Sequence, residues 1–203
     1  MRTLCVGEIL WDIIGNTPFL GGAPLNAAAH LAKFGAESYL LSAVGNDELG
    51  QNALARLQEA GVKPDYIAVL ENVPTGTALV FPEKEGSDRF LLPENVAYDQ
   101  TALPEHPLPA FDGIVFGSLA SFRSESVKNA VSALAKANPK AEKLFDVNLR
   151  LSFFNKPLLE ELLGLCTICK VNDEEASKVG SILFGKEMEY PEFAERILST
   201  YPS

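Results

Sequence analysis

Short β-prone apolar runs and amphipathic helical stretches take turns along most of the chain, and that alternation constrains the fold more than any other feature. "TLCVGEI" (3–9) is a β-rich opening. Residues 24–34 follow as a helix with Leu25, Ala28, Ala29, Leu31, Ala32 and Phe34 as apolar positions, Pro24 near its start and Gly35 as its stop. "ESYLLSAV" (37–44) is a strand. Asp47 can cap a helix carrying Leu49, Ala53, Leu54, Leu57 and Ala60, with Gly61 at its end. "GIVFGS" (113–118), "KLFDVNL" (143–149) and "TICKVN" (167–172) are further strands. Helices are expected from Ser124 (Val127, Ala130, Val131 and Leu134 inward), across "DEEASKV", and in "YPEFAERILSTYPS" (Phe193, Ile197 and Leu198 inward). This pattern predicts an α/β fold, a mostly parallel Rossmann-like sheet with helices on both faces.

Between about 64 and 95 the texture changes. The β-prone runs "YIAVL", "TALVF" and "RFLL" are separated by turn-rich "ENVPTG" and "PEKEGSD". A small antiparallel excursion over 64–95, inserted in one domain covering 1–203, is the expectation. The net charge of −10 argues against nucleic acid, whose phosphates it would repel. No apolar run approaches the roughly 20 residues that span a bilayer. The opening "MRTLCVGEILWDIIG", interrupted by Glu8 and Asp12, has neither the basic start nor the cleavage site of a signal peptide, and is expected to be a strand followed by a loop. The three cysteines, Cys5, Cys166 and Cys169, are an odd and sparse set that suits a reducing, cytoplasmic setting. "GSILFGKE" (180–187) nearly matches a phosphate-binding loop, but Glu187 stands where a magnesium-holding hydroxyl is needed.

Parallel sheets bind ligands at the carboxyl ends of their strands, which singles out "GEILWD", "GNDELG", "GSLAS", "DVNLR" and "KVNDEE". In "GGAPLN", Gly21 and Gly22 let backbone approach a ligand, and the helix after them points free amides at the same space. Asn26 can give and take hydrogen bonds, and Asp12 can grip neighbouring hydroxyls; the competing account makes Asn26 a helix cap and Asp12 a solvated loop acid. Asn46 can look into the crevice, and "PTGTA" (74–78) suits a hinge or a plain turn. Asp146, Asn148 and Arg150 alternate along one expected strand face, where phosphates or an internal Asp146–Arg150 salt bridge would satisfy them. Asn172 and Glu175 can reach a magnesium through its waters, or form a capping box.

Taken in order, "GEILWD", "GGAPLNAA", "GNDELG", "PTGTA", "FGSLAS", "FDVNLR" and "KVNDEEA" resemble the PfkB/ribokinase-like sugar kinases, and among them the bacterial fructokinases, from residue 3 to about 180. The resemblance implies a ribokinase-like fold with a β lid. It also implies an ATP- and Mg2+-dependent transfer of the γ-phosphate to a hydroxyl of a monosaccharide, fructose first. Asp12, Gly22 and Asn26, with Gly21 and Asn46 beside them, would hold the sugar. Thr75, Gly76 and Thr77 would hinge the lid, and Arg89 and Phe90 would lie on the lid strand that closes over it. Arg150 would support phosphate transfer, Asn148 and Asn172 would meet the nucleotide, and Glu175 would organise the metal. Lids of this family often pair two subunits, which makes a homodimer the expected assembly.

The family's catalytic aspartate belongs to a "GAGD" segment that this sequence lacks, together with the late adenine pocket and the C-terminal strands and helices. The 203-residue chain is therefore expected not to phosphorylate fructose by itself, and to present an open sheet edge that favours association. Alternatives are a kinase for 2-keto-3-deoxygluconate, ribose or a nucleoside, or a non-catalytic sugar-binding remnant. A nicotinamide-binding Rossmann protein is disfavoured by the missing G-x-G-x-x-G.

Overall fold

The structure, a computed structural model, describes residues 1–81 and 89–201, and of Arg89 the backbone alone. The chain runs β1 (Arg2–Val6), β2 (Leu10–Ile14), β3 (Thr17–Gly21), α1 (Ala23–Lys33), β4 (Glu37–Gly45), α2 (Glu48–Glu59), β5 (Ile67–Leu70), β6 (Gly76–Phe81) and β7 (Arg89–Leu91). It continues through β8 (Gly113–Gly117), α3 (Ser118–Arg123), α4 (Glu125–Ala137), β9 (Glu142–Asp146), α5 (Lys156–Leu165), β10 (Ile168–Lys170), α6 (Asp173–Phe184) and α7 (Tyr190–Thr200).

Six strands form one sheet in the order β10-β9-β8-β1-β4-β5, every neighbouring pair parallel. Parallel strands are buried on both faces, and the apolar residues divide accordingly. Cys5, Leu40 and Val44 pack with Leu25 and Ala28 of α1 and Ala53 and Leu57 of α2. Leu4, Val6, Ile114, Phe116 and Phe145 pack on the other side with Val127 and Val131 of α4, Leu159 and Leu162 of α5, and Val179 of α6. Adjacent residues such as Leu4 and Cys5 go to opposite sides because the side-chain period of a strand is two. After β1 the chain builds outward through β4 and β5, then returns to the other flank of β1 with β8. The reversal opens a crevice at the carboxyl ends of β1 and β8.

A second sheet, ordered β3-β2-β6-β7, stands beside this rim. Here the sequence expectation needs correcting twice. Residues 10–21 are not a loop but the hairpin β2–β3, turning at Gly15, whose φ of 60° suits a two-residue Gly-Asn turn. "YIAVL" is not part of the excursion, because β5 pairs in parallel with β4 as the outer strand of the main sheet. It follows a helix, so it closes another right-handed β-α-β unit. Among the described residues of segment 64–95, β6 and β7 alone enter the small sheet, which is mixed rather than antiparallel, since β2 and β6 run parallel.

Smaller differences have local causes. Phe34 falls at the C-cap of α1 and is exposed, as is Leu198 on α7, while Phe193 and Ile197 are buried. The strand expected over 143–149 ends at Asp146, where the chain turns through Asn148 (φ 38°) and Leu151 (φ 50°). Asp146 pairs with Lys170 (2.8 Å) instead of Arg150. The helix α5, capped by Asn155, is an element that the alternation above leaves out.

The two sheets meet at Asp47. Its Oδ1 caps α2 by accepting from Gly50 N (2.8 Å) and also accepts from the Thr75 hydroxyl (2.6 Å), and its Oδ2 accepts from Thr75 N (2.8 Å). Thr75 Oγ1 in turn accepts from Gly45 N (2.9 Å) at the end of β4. Burial pushes the Asp47 carboxyl up, but these hydrogen bonds outweigh it and hold the group below the ordinary range.

Candidate active site

The β1-to-β2 turn brings a glutamate into the protein interior. Glu8 is only 3% exposed, and its Oε1 accepts from Ala23 N (3.1 Å) at the first turn of α1. This carboxylate satisfies one of the amides that a helix start leaves unpaired. Gly22, the cap of α1, has a φ of 118°, and a Cβ there would run into the carbonyl oxygen of Glu8. Gly22→Ala is therefore expected to destabilise the protein, by strain of about 1–3 kcal/mol before the clash is counted. Urea denaturation measures it, and an unchanged midpoint would show that the turn relaxes freely.

Asp12 lies on β2 opposite Phe19 and Ala78, so its side chain shares a face of the small sheet with Gly21, Val80 and Phe90. A Cβ on Gly21 would fall 2.5 Å from Asp12 Oδ2, so only glycine lets this carboxylate lie across the backbone. Burial raises the Asp12 pKa and Arg150 opposes the shift; Arg150 likewise opposes the raised pKa of Glu8, which burial lifts to about 7. The guanidinium of Arg150 stands 5.9 Å from the centre of the Phe90 ring. Asp12, Gly21, Gly22, Glu8, Arg150 and Phe90 thus converge at one corner of the rim. Asn26, on α1, is exposed, and its side chain has no hydrogen bond among the described residues; Gly22, not Asn26, caps the helix.

Other expected site residues are placed elsewhere. Asn46 Nδ2 donates to Glu71 (2.8 Å), just past the end of β5, so its amide is engaged there. Thr77 pairs with Trp11 and faces the opposite side of the small sheet from Asp12. Trp11 is core, 2% exposed, with its Nε1 donating to Leu49 O (3.0 Å). Arg89 opens β7, and its side chain is outside the described residues.

Asn172 and Glu175 form the capping box of α6. Asn172 Oδ1 accepts from Glu175 N (2.8 Å), and Glu175 Oε2 accepts from Asn172 N (3.0 Å). Glu175 Oε1 accepts from Leu149 N (3.1 Å), which pins the loop carrying Asn148 and Arg150. Ser118 Oγ supports the same loop by donating to Val147 O (2.7 Å). Both Glu175 oxygens are committed to amides, and no group of three metal-binding side chains occurs among the described residues. As direct magnesium ligands these residues do not fit. Arg150 is different: it is exposed and has no ion-pair partner among the described residues, which suits a phosphate of ATP. Glu8 is the residue that sequence reasoning missed. Its signal was present, as a lone carboxylate directly after a buried strand.

A parallel sheet reversing at its first strand, a glycine-lined corner holding an aspartate, and a small sheet overhanging it define a sugar-kinase type of fold. The pfkB family carbohydrate kinase pattern matches residues 4–191, and the chain belongs to this family. It is 31% identical over 191 residues to the protein named "Putative sugar kinase PH1459" of Pyrococcus horikoshii, covering 84% of this chain and 61% of that protein. It is 30% identical over 197 residues to the probable fructokinase-6 of Arabidopsis thaliana, covering 85% of this chain and 50% of that protein. The chain thus spans between half and about three fifths of these relatives' lengths. The PH1459 structure in complex with ATP superposes with a TM-score of 0.78 at 28% identity, covering 91% of this chain and 67% of the other. Xylella fastidiosa fructokinase shares the fold at a TM-score of 0.81 and 22% identity, covering 98% and 66%. No helix among the described residues is long and apolar enough to cross a membrane.

Proposed function

We propose that this chain is the N-terminal, sugar-binding portion of an ATP-dependent kinase that phosphorylates a monosaccharide hydroxyl, with fructose as the leading acceptor. The observation that carries this is the convergence of Asp12, the Gly21–Gly22 backbone and Arg150 at the reversal of the sheet. Asp12 would accept from two sugar hydroxyls, and Asn26, with its side chain free at the start of α1, would exchange hydrogen bonds with a third. ATP supplies the phosphoryl group. Arg150, held by the Glu175–Leu149 bond, would meet the negative charge of the transferred phosphate. The small sheet of β2, β3, β6 and β7, as a lid, would exclude water with Phe90 closing against Arg150.

The family resemblance places the base for the sugar hydroxyl in a "GAGD" segment, which this sequence does not contain. The 203 residues by themselves would bind sugar without turning it over. The face of the small sheet that carries Trp11 is buried at that residue and exposed at its far end, where Phe81 (46% exposed) and Leu91 (53%) lie. A second copy docking by this face is the assembly this arrangement favours, in the cytoplasm. Sedimentation measures it, and a Leu91→Lys variant should shift the chain toward monomer.

Thermal-shift measurements with fructose, ribose, 2-keto-3-deoxygluconate and adenosine test the acceptor. Fructose should raise the melting temperature most, and Asp12→Asn should abolish the rise without lowering the ligand-free value. A fructose response that persists in Asp12→Asn refutes this assignment.

A further inference from the structure

The face of the small sheet that carries Asp12 also carries a large aromatic ring that the core does not cover. Asp12 on β2 stands directly opposite Phe19 on β3, and both share that face with Gly21, two residues further along β3. Directly opposed residues of an antiparallel pair have Cβ atoms about 5 Å apart, so Phe19 borders the aspartate. On its other side Asp12 has Ala78 of β6, a small residue that is itself buried. Phe19 is 50% exposed, and Ile14, next along the same face of β2, is 44% exposed.

A ring held half in water on an outer strand does little for folding, and such strands ordinarily carry charge instead. Beside a carboxylate it has a use. A sugar presents hydroxyls at its rim and C–H bonds on its faces, and small-molecule sites join a few polar groups to apolar or aromatic walls. The Asp12 carboxylate lies toward Gly21, where a Cβ would fall 2.5 Å from its Oδ2. It therefore offers its oxygens over the Gly21–Gly22 backbone and leaves the neighbouring Phe19 ring open. Phe90, with Arg150 near it, belongs to the opposite flank, since β7 lies beyond β6 as seen from β2. An acceptor that turns its reacting hydroxyl toward Arg150 turns its remote end toward β3 and Phe19.

We propose that Phe19 is a specificity-determining residue of this site, stacking on the C–H face of the acceptor, and that it selects a closed-ring sugar over an acyclic polyol. The inference rests on the sugar-kinase assignment and narrows it. A furanose or pyranose ring holds several C–H bonds on one face at fixed positions. A flexible hexitol must surrender chain freedom to present the same face. Asp12 can accept from neighbouring hydroxyls of either, so the discrimination falls to the aromatic wall.

Calorimetric titration of the chain with fructose and with mannitol, its acyclic reduction product, tests this. Fructose should bind at least about tenfold more tightly than mannitol. Phe19→Ala should weaken fructose by about tenfold and mannitol by less than about threefold. Phe19→Leu, which keeps apolar bulk without the ring, should fall between, and Phe19→Tyr should bind as the wild type does. Because Phe19 is exposed, all three variants should melt as the wild type does. If Phe19→Ala leaves the fructose-to-mannitol ratio unchanged while Asp12→Asn abolishes fructose binding, the role of Phe19 is overturned and the kinase assignment stands. The same holds if Phe19→Ala alters the sedimentation of the chain and leaves sugar binding untouched, since Phe19 would then serve assembly. If the wild type does not bind fructose, both fall.

Discussion

Asp47→Ala should be among the most destabilising single changes in the molecule away from the packed core. It removes the cap of α2 and strips the Thr75 amide and hydroxyl of their shared acceptor. A lost cap and two lost charge-assisted bonds sum to about 3 kcal/mol. For a chain of this size that lowers the melting temperature by on the order of 10 °C. The sign of its pH dependence is fixed by the depressed carboxyl. A group held below its unfolded value contributes stability above that value and loses it as pH falls through the folded one. The gap between wild type and Asp47→Ala should therefore shrink under acid conditions, below about pH 4. Thr75→Val should be milder and should add only in part to Asp47→Ala, since both remove the Thr75 hydroxyl–Asp47 bond while Thr75→Val also strips Gly45 N of its acceptor. Fully additive losses would show that Asp47 acts only as a helix cap.

Glu8→Gln should have the opposite sign. Burial lifts the Glu8 carboxyl from 4.5 to about 7, despite the amides it accepts from and the pull of Arg150. The folded chain then keeps a proton that the unfolded chain gives up, and stability falls between pH 4.5 and 7. Above that window the penalty is full, about 3 kcal/mol. Glutamine keeps an acceptor for Ala23 N and cannot ionise. Urea midpoints of the two proteins should coincide near pH 4.5 and separate at pH 8, with Glu8→Gln the more stable. Parallel curves across that range would place the ionised carboxylate comfortably in the fold.

The body of the fold was legible because each signal is local. Pro24 and Gly35 bracket α1, Asp47 starts α2, and the Val127–Leu134 stripe marks the buried face of α4. What was illegible depends on pairing. β5 and β6 are equally β-prone, and only their partners, β4 in one case and β2 in the other, assign them to different sheets. The hairpin β2–β3 had a usable sign in "GNT", overlooked because the first strand was assumed to be followed by a loop. At the candidate site, Asp12, Gly21, Gly22 and Arg150 stand out in the sequence by strand-end position and chemistry, and the fold brings them to one corner. Thr77 and Asn46 lie in equally suggestive stretches, but the sequence does not say which way each faces. A one-residue step along β6 reverses that direction, which is why Thr77 turns away from Asp12 while Ala78 does not.

The parallel pairing of β2 with β6 also bears on how the chain is made. During synthesis, residues 10–21 leave the ribosome long before residues 76–81, the segment that completes their sheet. Until then the hairpin has an unsatisfied edge, and Asp12 has no wall behind it. The half-built overhang is where a chaperone would find the nascent protein, and where early misassociation between chains would begin.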